Sequence, residues 1–153
     1  MRILFDTNIL LRAIQSGSPA REALLLATSN RHILISADFI IDEVRRAFAY
    51  PRVRSRIPLE DEEIAAYIDN IRRNSIIVDP ENARIDEPSP CRDPDDVPVL
   101  KSALAGHADV LCTLDGDIRN NVVAAWCLES GINILSDIEL LHVLRAQEEA
   151  DNQ

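Results

Sequence analysis

Short apolar runs alternate with segments of helical periodicity along the chain, and this alternation limits the possible folds most strongly. The first run, Arg2–Phe5, ends abruptly at Asp6. Continuous apolar runs of this length are typical of parallel strands that are covered on both faces. Four more follow, at residues 33–35, 76–78, 110–113 and 132–135. The pattern predicts one α/β domain with a parallel sheet of about five strands and helices on both faces.

Helical spacing and capping residues predict the segments between the strands. Ser18 and Pro19 form a typical helix start, with serine as N-cap and proline in the first turn. The predicted helices cover approximately residues 9–15, 19–27, 38–50, 64–71, 99–104, 122–128 and 138–145. Five of the eight prolines lie between positions 80 and 98, which predicts a long loop there. We expect the domain to cover residues 1–147, with a polar tail at residues 148–153.

Composition and charge exclude several classes of protein. The apolar runs are far shorter than the roughly 20 residues that span a bilayer, so we expect no membrane segment. Asp6 interrupts the N-terminus before a signal peptide could form, which favours a cytoplasmic location. Three cysteines and three histidines are scattered, without the spacing of a zinc or redox motif. The formal charge of −10 argues at first against a nucleic-acid partner.

Four acidic residues occupy positions that are unusual for solvated side chains. Asp6 follows the first predicted strand and Asp115 follows the fourth, at the sheet edge where α/β proteins bind ligands. Asp96 falls on the buried face of a helix, and Glu43 borders an apolar helical stripe. Carboxylates that converge in this way are tolerable when a divalent cation lies among them. Oxygen ligands without cysteine or histidine favour Mg²⁺ or Mn²⁺.

Each of these acids also has a structural explanation. Asp6 and Asp96 are suitable helix N-caps. Glu43 is compatible with a boundary position whose carboxylate is solvated. Asp115 and Asp117 flank a glycine and fit a simple turn. The combination of two acids after parallel strands and two beside buried helical faces favours a site over four separate structural roles.

Several motifs together resemble the PIN-domain ribonucleases. They are Asp6-Thr7-Asn8 after an apolar strand, Glu43 in an early helix, the run from Cys91 to Asp96, and Thr113-x-Asp115 after a later strand. Within that superfamily the chain most resembles the VapC-like toxin components of toxin–antitoxin pairs. The resemblance covers nearly the whole chain and implies a single PIN-like, Rossmann-like domain.

The resemblance implies a site, a reaction and partners. Mg²⁺ or Mn²⁺ would be held by an acidic quartet, Asp6, Glu43, Asp96 and Asp115. Asp93 and Asp117 would be secondary acids, and Thr7 and Asn8 would orient the site. A metal-activated water would hydrolyse RNA phosphodiester bonds. An antitoxin protein is the implied partner, and homodimers are common among relatives. The segment 118–131 is longer than the usual pattern, which leaves the role of Asp117 open.

A basic segment offers a place for RNA on an acidic protein. It contains five arginines and no acid: Arg45, Arg46, Arg52, Arg54 and Arg56. One interpretation is a solvated helix end, where arginine complements the helix dipole. The other is an arginine stripe beside the acidic groove, where guanidinium groups hold phosphates and stack on bases. The sequence leaves both interpretations open.

Other functions remain to be separated from a nuclease. A haloacid-dehalogenase-like phosphatase needs a second aspartate where this chain has Asn8. A receiver-like signalling domain, which also binds Mg²⁺, needs a lysine after a late strand, whereas Lys101 falls in a predicted helix. A degenerate PIN domain that only binds RNA or protein is a further alternative, and the intact acidic quartet argues against it.

Overall fold

The computed structural model describes residues 1–29 and 31–153. Five parallel strands form one sheet in the order β3-β2-β1-β4-β5. The strands are β1 (Arg2–Phe5), β2 (Ile33–Ser36), β3 (Ser75–Ile77), β4 (Val110–Cys112) and β5 (Asn133–Leu135). The predicted five-stranded parallel sheet is therefore confirmed, with each strand within one or two residues of its expected place.

The helices follow the strands in alternation. They are α1 (Thr7–Ala13), α2 (Pro19–Thr28), α3 (Asp38–Ala49), α4 (Pro51–Arg54), α5 (Asp61–Arg73), α6 (Val97–Ala105), α7 (Asn121–Glu129) and α8 (Asp137–Asp151). Ser18 caps α2 as predicted, since its side chain accepts a hydrogen bond from the backbone N–H of Arg21. Glu60 and Glu63 form a capping box at the start of α5. Local sequence signals thus set where these helices begin.

The core lies on both faces of the central strand β1. Ile3, Leu4 and Phe5 are all buried. Because successive side chains of a strand point to opposite faces, this burial means that helices cover both sides of the sheet. Phe5 is in register with Cys112 of β4, so the two strands end side by side. The chain leaving β1 and the chain leaving β4 therefore meet at one edge of the sheet.

Three parts of the fold differ from the sequence prediction. A separate short helix, α4, begins at Pro51, where we expected no helix. The proline-rich stretch contains two 3₁₀ turns, Pro80–Asn82 and Pro94–Asp96, and is not simply a loop. The last helix continues to Asp151 and does not end near residue 145, so the first residues of the expected polar tail are helical. Among the helices of the described residues, none has the length and apolar character needed to cross a bilayer.

Candidate metal centre

Asp6 directly follows β1 at the edge of the sheet where β1 and β4 end side by side. Its backbone N–H donates to the carbonyl of Cys112 at 2.9 Å, which continues the pairing of the two strands by one residue. Its side chain is only 6% exposed. One carboxylate oxygen, Oδ1, accepts from the backbone N–H of Thr7 at 2.8 Å and so caps α1. The capping role of Asp6 is therefore confirmed, while its second oxygen, Oδ2, faces Thr113 after the neighbouring strand.

A polar network fixes that second oxygen. The hydroxyl of Thr113 donates to Asp6 Oδ2 at 2.7 Å, and Asn8 Nδ2 donates to the same oxygen at 3.3 Å. Asn8 Oδ1 accepts from the backbone N–H of Leu114 at 3.2 Å. The backbone N–H of Asp115 donates to the Thr113 hydroxyl at 3.1 Å. The start of α1 and the loop after β4 are therefore held as one unit.

Thr113 belongs to this hydrogen-bond network, although the sequence predicted no role of its own for it. It is fully buried, and its hydroxyl contacts Asp6, Asn8 and the backbone of Asp115. Its position one residue beyond β4, in the motif Thr113-x-Asp115, was the available signal. A threonine in a strand is ordinarily explained by strand propensity, so the motif alone does not reveal a hydrogen-bonding role.

Glu43 reaches the site from α3. Its Oε2 accepts a hydrogen bond from the hydroxyl of Thr7 at 2.7 Å. Ile40 and Val44 on the same helix are buried, and Glu43 is half-buried at the border of that apolar face. Its charge is one of those that raise the pKa of Asp6. The structure therefore joins Glu43 to the Asp6 network through Thr7.

Burial and like charge both act on the Asp6 carboxyl group. Burial raises its pKa above the usual range, and the nearby charges of Asp115 and Glu43 raise it further. Hydrogen bonds from Thr113 and Thr7 lower the pKa and oppose this effect in part. Taking up a proton in the metal-free site is thus easier for Asp6 than for an ordinary aspartate.

Asp96 is the second buried carboxylate of the site, at 8% exposure. It stands at the N-cap position of α6, yet its side chain makes no capping hydrogen bond. The pKa of Asp96 is raised from 3.8 to about 6, first by burial and then by the charges of Asp115, Asp93, Asp117 and Asp6. A helix-capping role therefore does not account for this buried carboxylate.

Three carboxylates approach one another most closely. Asp93, Asp96 and Asp117 each offer an oxygen, and these oxygens all lie within 4.8 Å of one another. Asp93 also caps the 3₁₀ turn that leads to Asp96, because its side chain accepts from the backbone N–H of Asp95 at 2.9 Å. Asp117 is tied to Asp115, whose Oδ1 accepts its backbone N–H at 2.8 Å. The two acids predicted as secondary thus lie beside Asp96.

Six acids lie together at one edge of the sheet: Asp6, Glu43, Asp93, Asp96, Asp115 and Asp117. They are connected either through hydrogen bonds or through the effect of their charges on the pKa values of Asp6 and Asp96. None of them forms an ion pair with a basic side chain in residues 1–29 and 31–153. Uncompensated carboxylates in a partly buried cluster are unfavourable unless a cation neutralises them. An all-oxygen donor set suits a hard divalent ion such as Mg²⁺ or Mn²⁺.

Cys91 lies close to the cluster but is unsuited to ligate such an ion or to act as a nucleophile. Burial raises the pKa of its thiol, and the charges of Asp96, Asp93 and Asp115 add to the effect. The reactive form of cysteine is the thiolate, which this environment disfavours. The donor atoms of the site are therefore oxygens.

The arginine segment divides into two groups. Arg45 donates to Asp42 at 2.9 Å, and Arg54 pairs with Asp61 at 3.1 Å. By contrast, Arg46, Arg52 and Arg56 are exposed and pair with no acid of the described chain. The structure thus supports a solvated, ion-paired role for two of the five arginines and leaves three available for another partner.

The parallel sheet and the acid-lined crevice define an α/β protein with a carboxylate site at the carboxyl ends of β1 and β4. The chain belongs to the PIN domain family, whose family model matches residues 2–117. This match confirms the resemblance seen in the sequence motifs. It ends at Asp117, where the longer segment 118–131 begins.

Comparison with solved structures supports the fold. The chain is similar to a chain in the crystal structure of VapBC2 from Rickettsia felis bound to a DNA fragment from their promoter. The TM-score is 0.51 at 15% sequence identity, with 89% of this chain and 98% of that chain covered. Comparison with curated proteins gave no match.

Proposed function

We propose that this protein is a divalent-metal-dependent endoribonuclease. PIN domains are generally nucleases. The observation that carries the proposal is the cluster of six carboxylates without a neutralising basic partner in the described chain, formed where β1 and β4 end. Acidic side chains in this arrangement serve hydrolysis of a phosphodiester, a reaction in which charge develops on the attacking and leaving oxygens.

The residues divide into those that hold a cation and those that position them. Mg²⁺ or Mn²⁺ would be held by Asp6 and Asp96, with Glu43, Asp93, Asp115 and Asp117 around them. A cation in such a site activates water and stabilises the departing oxygen. Thr113, Thr7 and Asn8 fix the carboxylate orientations through the hydrogen bonds described above. No protein nucleophile is required, which agrees with the raised pKa of the Cys91 thiol.

RNA cleavage by purified protein tests this proposal. We expect hydrolysis of single-stranded RNA in Mg²⁺ or Mn²⁺, none in EDTA, and recovery when metal is added back. Asp6→Asn and Asp96→Asn should each reduce the rate by about 100-fold or more, since even supporting residues of metal sites contribute about 10–100-fold. Asp95→Asn, which neutralises an exposed acid of the same turn, is the matched control and should remain active.

Three results would reject the proposal. Cleavage that persists in EDTA and in both variants would show that the carboxylate cluster does not carry the reaction. RNA binding with no cleavage under any metal condition would favour a degenerate domain that only binds. Acetyl-phosphate labelling of one aspartate without nuclease activity would support the receiver-like alternative.

We also propose that the chain is the toxin of a toxin–antitoxin pair, with an antitoxin protein as partner. The support is the VapBC2 complex from Rickettsia felis, which has a similar fold at low sequence identity. A small reading frame beside the gene, with a DNA-binding pattern, should encode the partner. Co-expression should yield a complex that suppresses RNA cleavage, whereas unchanged cleavage in its presence would exclude that pairing. Light scattering on the isolated chain tests for a homodimer.

A further inference from the structure

A groove of about 290 Å³ runs between the end of α1 and helix α4. Three arginines line it: Arg12 from α1, Arg52 from α4, and Arg56 just after α4. Arg52 and Arg56 belong to the basic segment, while Arg12 is distant in sequence and was not expected to join them. No acid of the described residues lines this groove, so the charge of its lining is uniformly positive.

On the opposite side of the basic segment, arginines lie together with acidic side chains. There a pocket between α3 and α5 contains Arg45 and Arg54 together with Asp61 and Asp69. Both arginines are already paired with carboxylates of the chain. Paired guanidinium groups have less to gain from a phosphate than unpaired ones, because binding must first replace an existing partner. Phosphate binding is therefore favoured in the groove beside α1, where Arg52 and Arg56 have no carboxylate partner in the described chain.

A buried carboxylate forms an ion pair with Arg12 beside the groove. Asp137 is 1% exposed, and its Oδ2 lies 3.5 Å from Nε of Arg12. Its other oxygen accepts from the backbone N–H of Ile138. Arg12 is half exposed, and within the described chain its two terminal nitrogens make no hydrogen bond. Asp137 Oδ2 is buried and makes no hydrogen bond in the described chain, so it attracts the guanidinium group as an ion-pair partner and leaves the terminal nitrogens of Arg12 open to a ligand.

The floor of the groove is apolar. Leu11 and Val53 are half-buried and Ile57 is buried, and all three line it. A surface with guanidinium groups over aliphatic side chains suits a flexible single strand, whose phosphates bind arginine and whose sugars and bases cover apolar atoms. The same positive charge would also attract a folded acidic protein segment, and direct measurement of RNA binding distinguishes the two ligands.

We propose that Arg12, Arg52 and Arg56 bind backbone phosphates of the RNA strand that the carboxylate cluster cleaves, with Asp137 as a positioning residue for Arg12. This inference rests on the proposed ribonuclease function. Helix α1 connects the two sites, because Thr7 in its first turn contacts Glu43 and Arg12 follows five residues later. In an α-helix this separation is about 8 Å along the axis and about 140° around it, so a strand that occupies both sites would pass around the first turns of α1.

Two double variants with the same change of charge test the groove. Binding of a short, unstructured, fluorescein-labelled oligoribonucleotide is measured by anisotropy in the Asp96→Asn background, where the RNA stays intact. Arg52→Gln with Arg56→Gln should weaken binding at least about 10-fold. The slope of log K against log salt should fall by about 1.4, or about 0.7 for each phosphate that an arginine no longer neutralises. Arg45→Gln with Arg54→Gln, from the same segment, should change both quantities far less.

A double-mutant cycle tests the positioning role. Asp137→Asn should weaken RNA binding in the protein that has Arg12, but should add little in the Arg12→Gln protein. A merely structural effect of Asp137 would instead appear equally in both, since independent effects add. Thermal melting of each variant verifies that the fold is intact.

The outcomes separate this inference from the proposed function. Equal weakening by the two arginine pairs would show a general charge effect and overturn the groove assignment. Unchanged RNA binding by the variant with Arg52→Gln and Arg56→Gln would overturn the assignment as well. The same holds if this variant loses binding of a protein partner but still binds RNA normally. In both cases, RNA cleavage by the parent protein would leave the ribonuclease proposal standing. Absence of RNA cleavage by the parent would reject both.

Discussion

Replacing Asp96 with asparagine should stabilise the metal-free protein while it removes the activity. Asp96 is buried among like charges and makes no capping hydrogen bond, so its negative charge opposes folding when no cation is bound. Asparagine has nearly the same shape without the charge. Catalytic groups commonly reduce the stability of the fold that holds them, and here the structure gives the cause.

The raised pKa sets the size of the effect. A change from 3.8 to about 6 corresponds to about 3 kcal/mol of native-state destabilisation once the carboxyl group is ionised. Solvent on the open side of the site screens part of this, and a carboxylate near a helix N-terminus is itself favourable. We therefore expect Asp96→Asn to gain about 1–2 kcal/mol in free energy of unfolding, or about 2–8 °C in midpoint.

The sign of the effect depends on pH. Below about pH 4 the group is protonated in both the folded and the unfolded chain, so the variant and the parent should be equally stable. Between about pH 4 and 6 the native state keeps a proton that the unfolded state releases, so the parent loses stability relative to the variant as pH rises. Above the folded-state pKa of about 6 the difference should be complete.

Urea unfolding in EDTA at several pH values measures this difference. Asp95→Asn serves as the control because it removes an exposed charge from the same turn. Adding Mn²⁺ should stabilise the parent and the control but not Asp96→Asn, since only a native state that binds the ion is stabilised. A variant that is less stable than the parent in EDTA at about pH 7.5 would refute this reasoning about the charge of Asp96.

Three further substitutions test the supporting structure. Thr7→Val removes the hydrogen bond to Glu43 and should lower the rate of RNA cleavage about 10-fold at limiting Mn²⁺, while Thr7→Ser should retain activity. Equal cleavage rates in the two variants would show that the Thr7 hydroxyl does not support the site. Asn8→Ala should reduce the free energy of unfolding by about 1–2 kcal/mol in urea, because Asn8 joins α1 to the loop after β4; an unchanged urea midpoint would contradict this. Gly106→Ala places a methyl group against Cγ2 of Ile35, too close for van der Waals contact, and should be destabilising by about 1–3 kcal/mol; a smaller cost of the same change in the Ile35→Ala background, which lacks both Cγ atoms, would support the steric cause, and a fully stable Gly106→Ala would exclude it.

The sheet and the position of its carboxyl edge could be predicted because strands buried on both faces require continuous apolar runs. Asp6 follows such a run directly and Asp115 follows another after two residues, so topology alone places them at one edge. The short helix α4 was missed because four residues are too few to show a period. Helix α8 was predicted too short because its last turns are polar and carry no apolar stripe.

Other features of the site depend on contacts between distant segments, which local patterns do not encode. The closeness of Asp117 to Asp93 and Asp96 results from how the proline-rich stretch packs against the loop after β4. Arg54 looks equivalent in sequence to the other arginines of the basic segment, but in the structure it is paired with Asp61. The net charge of −10 is likewise a poor guide to the partner. Its distribution, with acids at the sheet edge and unpaired arginines beside α1, is more informative.

Titration of the EDTA-treated protein with Mn²⁺, with RNA cleavage measured on the same samples, tests the metal site most directly. We expect the parent and Asp95→Asn to bind the ion and to cleave RNA over the same range of metal concentration. Asp96→Asn should show neither binding nor cleavage, although its metal-free form is folded and more stable. Cleavage by the parent without bound metal, or undiminished Mn²⁺ binding by Asp96→Asn, would contradict the assignment of the carboxylate cluster as the metal centre of a ribonuclease.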